Sequence, residues 1–157
     1  MKKLVLLFSF YLNSLFAIEV TCNFEEVYKN GDVQEGVLML NDNLLRYQYT
    51  KDNLYTIISK QNQFYLVRND SKIVQKLSEN TESLKNFIIL ASDYPNIKKT
   101  YQDNDLFIKV EKSEVAFIKR LSIQSNDINL SVNFFNCNFD PINKKYFRHF
   151  NFVEYTQ

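Results

Sequence analysis

Short alternating segments cut by polar turns run almost the whole length of this chain, and that rhythm constrains its fold more than any other feature. Ile18, Val20, Cys22 and Phe24 alternate with Glu19, Thr21, Asn23 and Glu25, the period of two expected of a half-buried strand. Asn30-Gly31 follows, a strong short-range hairpin signal, and residues 33–40 read as the return strand. Asn41-Asp42-Asn43 turns the chain into a strand over 44–49. There Leu45, Tyr47 and Tyr49 share one face, and Leu44, Arg46 and Gln48 share the other. The same pattern predicts strands over 54–59, 64–68, 73–77, 97–102, 106–111, 115–124 and 128–139, separated by Asn- and Asp-rich turns. In the last strand Ile128, Leu130, Val132 and Phe134 face one way, while Phe135, Cys137 and Phe139 have the opposite parity. That switch predicts a bulge near Phe134-Phe135.

One helix interrupts the series. Asn80 or Thr81 can cap it, Glu82 suits the positive end of its dipole, and Leu84, Phe87, Ile88 and Ala91 fall at helical spacing before Pro95. The expected fold is mainly β with one or few helices: a curved antiparallel sheet or incomplete β-barrel, with a helical lid on its concave face. The 14 Phe and 10 Tyr either fill that face as core or line a cavity for an apolar ligand.

Several function classes fall away on composition. With 19 Lys and Arg against 18 Asp and Glu, the formal charge is +1, which supplies no basic footprint for nucleic acid. Two glycines, Gly31 and Gly36, cannot build a Gly-rich phosphate loop. A single histidine, His149, and two cysteines make no zinc or iron ligand set, so neither metal nor cofactor is expected. His149 stands alone for any nucleophile–histidine arrangement and reads as a solvated residue in the basic stretch 144–149. Glu25-Glu26 could in principle do carboxylate chemistry, but neighbours in a strand point to opposite faces. The pair reads as solvent-facing or at a strand end, and no enzyme is expected.

The N-terminus reads as an address. Lys2 and Lys3 precede an apolar run over 4–12, shorter than the roughly 20 residues of a spanning helix. Ala17 offers a small residue for cleavage. A signal peptide over 1–17 and one domain over 18–157, exported to the periplasm, are the expectation. That compartment permits a disulfide between Cys22 and Cys137, and both look inward-facing, which suits either a bridge or two buried thiols.

The segment from Gly36 to Leu90 carries the most specific signal. Gly36-Val-Leu-Met-Leu precedes Leu44-Leu45-Arg46-Tyr47-Gln48-Tyr49, then Ile57-Ile58, Phe64-Tyr65-Leu66 and the helix Ser83-Leu84-Lys85-Asn86-Phe87-Ile88-Ile89-Leu90. In order and spacing this resembles the periplasmic outer-membrane lipoprotein carrier family (LolA-like), and the ending 128–134, Asp140-Pro141-Ile142 and Phe147 is similar too. The resemblance implies a monomeric carrier that shields the acyl chains of lipoproteins between an inner-membrane transporter and an outer-membrane receptor. It implies that Leu45, Tyr47, Tyr49, Phe64 and Leu66 face the cavity, and that Leu84, Phe87 and Ile88 form the lid. An envelope sensor or scaffold that binds lipidated protein without shuttling it is the alternative on the same fold. Two features depart from the family pattern. Ile18 enters a strand where the family has an amphipathic helix, and Asn41-Asp42-Asn43 stands where the family often has Arg-Pro.

Overall fold

In the computed structural model, residues 19–42, 44–60, 63–77, 93, 96–114 and 118–148 are described. The expected signal peptide (1–17), the helix carrying Leu84, Phe87 and Ile88, and His149 lie outside them. The described residues form ten strands: β1 (Glu19–Tyr28), β2 (Val33–Asn41), β3 (Leu44–Tyr49), β4 (Tyr55–Lys60), β5 (Gln63–Arg68), β6 (Val74–Leu77), β7 (Thr100–Asp103), β8 (Leu106–Lys112), β9 (Ile118–Gln124) and β10 (Asn129–Asn138). All pair antiparallel in one sheet of order β6-β5-β4-β3-β2-β1-β10-β9-β8-β7. Two consecutive meanders therefore meet at a single seam, β1 against β10, and β6 and β7 are the outer edges of an open sheet.

The turns follow their residue chemistry. Gly31 takes φ +87°, its N–H donates to the Tyr28 carbonyl at 2.9 Å, and Asn30 Oδ1 accepts from the Asp32 N–H at 3.0 Å. Asp42 and Asn104 sit at φ 50°, a left-handed conformation that short polar side chains tolerate. The strand expected over 97–102 begins later, at Thr100, yet Ile97 is buried in the core.

The predicted bulge is real but lies further along. Asn23 pairs with Phe135 and Thr21 with Asn138, so β10 holds an extra residue between them, and Asn136 takes it up at φ 50°. This restores Cys137 to the face of Val132 and Phe134. Phe135 stays on the opposite face, 44% exposed, and Phe139, just past the end of β10, is equally exposed.

One contiguous apolar cluster occupies the inner face. It joins Val20, Phe24, Leu38, Leu45 and Ile57 of the first meander to Ile108, Leu121, Val132 and Phe134 of the second. The sheet has no second sheet against it among the described residues, so burying both halves in one cluster requires it to curve. The opposite face of β2–β4 is also buried. After β10 the chain continues across it through a 3-10 turn, Lys144–Phe147, whose Phe147 packs with Val37 and Met39.

Candidate functional site

The antiparallel register sets the inner face out in rows. Val20, Leu40, Leu45, Ser59, Phe64 and Leu77 lie side by side across β1 to β6. The next row is Cys22, Leu38, Tyr47, Ile57 and Leu66. Phe24, Gly36 and Tyr49 form the third, and Glu26 beside Gln34 the fourth. Within this meander the face therefore passes from aliphatic at one end to hydroxyl- and carboxyl-bearing at the other.

Gly36 makes the third row possible. A Cβ there would lie 2.1 Å from the Gln48 carbonyl oxygen and 2.3 Å from the Phe24 ring. Without it, Phe24 reaches across β2, stacks on Tyr47 with centroids 3.9 Å apart and meets the edge of Tyr49 at 5.5 Å.

Glu26 is buried, 3% exposed, at the polar end of this face. Three tyrosines enclose its carboxylate. Tyr47 donates its hydroxyl to Oε1 at 2.6 Å, Tyr28 donates to Oε2 at 2.7 Å, and Tyr49 lies 3.1 and 3.0 Å from the two oxygens. A carboxylate buried among aromatic rings is costly unless its lone pairs are occupied, and here the two oxygens accept from three hydroxyls, Tyr49 sharing its single proton between them. Burial first, and then the Glu26 charge, push the Tyr28, Tyr47 and Tyr49 hydroxyls well above the usual phenol range, so they stay protonated as donors. Tyr28 also forms part of the wall of a cleft of about 380 Å³ between the β1–β2 and β9–β10 turns, which brings solvent close to one side of this cluster.

The reading of Glu26 as solvent-facing is thus corrected. Its parity with Val20, Cys22 and Phe24 was the signal available in the sequence, and the charge of the residue obscured it. Glu25 lies on the other face, opposite Asn133 and Glu35, so the two acids do not converge.

On the outer face Arg46 is 1% exposed. Its Nε donates to Gln48 Oε1 at 2.9 Å and its Nη1 to the Tyr146 carbonyl at 2.6 Å, which fastens the C-terminal crossing to β3. Cys22 and Cys137 are joined by a disulfide with Cα atoms 4.1 Å apart, at the point where the bulge interrupts the β1/β10 ladder.

No protein-family model matches the chain, and no curated protein matches it in sequence. Among solved structures it is similar to a LolA superfamily protein from Nitrosomonas europaea, at 8% identity and a TM-score of 0.45, over 84% of this chain and 90% of that one.

Of the expected cavity residues, Leu45, Tyr47, Tyr49 and Phe64 are buried in the inner cluster, and Leu66 is partly buried against it. The rows bring these five together on one face. The expected lid residues Leu84, Phe87 and Ile88 lie outside the described part of the chain. Among the described residues no group of three or more His, Cys, Asp or Glu side chains is placed to hold a metal ion. No described helix is long and apolar enough to cross a membrane.

Proposed function

We propose that this protein is a cell-envelope carrier that shields the acyl chains of lipoproteins on their way from the inner to the outer membrane. The observation that carries the reading is the continuous apolar inner face of a single open, curved sheet. Its rows Val20–Leu40–Leu45 and Leu38–Tyr47–Ile57, packed here against the second meander, become an extended dry surface for an acyl chain when the two halves part. Each buried CH₂ is worth about 0.8 kcal/mol, so a long chain gains roughly 12 kcal/mol gross on leaving water. Capture on that scale needs no polar recognition. Release needs a surface that closes on itself when empty, and interleaved Tyr, Phe and Leu side chains can do that. The disulfide suits an oxidising compartment such as the periplasm, in keeping with the export features of residues 1–17.

The test is native mass spectrometry of protein exported to the periplasm and purified without detergent. Bound acylated peptide or lipid, absent from a folded Tyr47→Glu variant, is the expected result. Protein that emerges empty and does not take up added lipoprotein overturns the reading.

A further inference from the structure

We propose that Glu26 selects the head group: the inner face takes acyl chains joined to a neutral or cationic head and rejects those ending in a free carboxylate. This rests on the carrier reading and specifies its ligand class. The polarity of the face is graded in one direction within the first meander. Val20, Leu40 and Leu45 are aliphatic and buried, and two rows along lie Phe24 and Tyr49, with Glu26 and Gln34 beyond. An amphiphile laid on such a face keeps its tail over the aliphatic rows and its head at the hydroxyl-rich end. Tyr55, 41% exposed with its ring centroid 6.3 Å from that of Tyr49, and half-buried Tyr28 form the rim there.

The only charge buried at that end among the described residues is Glu26. Its three tyrosine donors satisfy its oxygens but are neutral hydroxyls that bring no compensating positive charge. The inward-side cation nearest this end along β5, Arg68, is exposed and paired with Asp70 at 2.8 Å. A second carboxylate brought beside Glu26 therefore meets like charge in a weakly polarisable surrounding, and the one buried cation among the described residues, Arg46, lies on the opposite face of the sheet. An ester, an amide or an ammonium meets no such repulsion. Discrimination of this kind works by excluding the wrong ligand rather than by gripping the right one.

The full chain tests this with three twelve-carbon amphiphiles: laurate, monolaurin and dodecyltrimethylammonium. Each competes, below its micelle concentration and at mildly alkaline pH, with the neutral fluorescent probe N-phenylnaphthylamine. Monolaurin and the ammonium are expected to displace the probe at concentrations on the order of tenfold lower than laurate. Glu26→Gln, with its fold checked by circular dichroism, brings laurate to within a few-fold of monolaurin. Glu25→Gln, the neighbouring charge on the opposite face, leaves the preference unchanged. Equal displacement by laurate and monolaurin in the native protein overturns the inference and leaves the carrier reading standing. So does a preference that survives in folded Glu26→Gln. Failure of the probe and all three amphiphiles to bind overturns both. Should Glu26→Gln not fold, the comparison of the three head groups on the native protein still decides.

Discussion

Phe24 of β1 stacks on Tyr47 of β3, centroids 3.9 Å apart and planes 17° from parallel, although β2 runs between them. Gly36 is what allows it, because the ring occupies the space where any other residue would place its side chain. Two strands that share no backbone hydrogen bonds are thereby packed directly, and Tyr47 is held where its hydroxyl meets Glu26.

Gly36→Ala is accordingly a severe change for a single methyl group. The added Cβ meets a backbone oxygen at 2.1 Å as well as the Phe24 ring, so rotation of a side chain alone cannot relieve it. A loss of about 2–3 kcal/mol is expected, at the upper end for overpacking a core. Urea denaturation measures it, and a variant as stable as the native protein would show that β2 yields more readily than this contact implies.

The Glu26 cluster predicts unequal costs for its members. Tyr47→Phe removes one buried donor and should cost about 1–2 kcal/mol. Glu26→Leu leaves three tyrosine hydroxyls facing an apolar side chain, two of them buried, and should cost about 3 kcal/mol or more. In a double-mutant cycle the two changes should be strongly non-additive, since both remove the same bond. Additive costs would mean that the hydrogen bond contributes little.

Alkaline titration reads the same cluster. Burial, and then the Glu26 charge, raise the folded-state values of Tyr28, Tyr47 and Tyr49 above that of a free phenol. A raised value means that the folded state keeps protons that the unfolded state releases. Their contribution to stability is whole below about pH 10 and is lost as pH climbs above it. Ultraviolet difference spectroscopy should show Tyr28, Tyr47 and Tyr49 ionising only together with unfolding. Ionisation of all ten tyrosines in one ordinary step, with the fold intact, would contradict the cluster.

The Cys22–Cys137 bridge closes a loop across a sequence separation of 115 residues. In the chain-entropy account a loop of that size stabilises by about 4–5 kcal/mol. Replacing both cysteines with serine, or reducing the protein, should lower the urea midpoint by a matching amount. Among the described residues the seam is the only ladder between the two meanders, so hydrogen exchange should quicken along β10.

Arg46 predicts a local effect instead. Arg46→Met keeps the apolar stem but removes the bonds to Gln48 and to the Tyr146 carbonyl. It should cost about 2–3 kcal/mol, and amide exchange over 144–148 should accelerate more than exchange in β8 and β9. Uniform acceleration across the sheet would mean that the C-terminal crossing is not fastened through this residue.

Strand by strand, much of this architecture is legible without coordinates. Alternation over 19–28 and 44–49 places Val20, Cys22 and Phe24 on one side and separates Tyr47 from Arg46, because a strand has only two faces and polar turns mark its ends. The parity switch in β10 likewise announces a bulge, though not that Asn136 would absorb it and aim Cys137 at Cys22. What local pattern cannot carry is contact between residues far apart in sequence. Alternation sets Arg46 and Gln48 on the face opposite Tyr47 and says no more, yet they are buried because a segment about a hundred residues later crosses over them. Glu26 reads as a surface acid, yet it sits inside because β3 delivers Tyr47 and Tyr49 to its two oxygens over a strand that carries only Gly36 at that point. Alternation assigns a residue to a face. Whether that face is wet or dry, and whether a buried charge finds its donors there, is decided only when distant strands close over it.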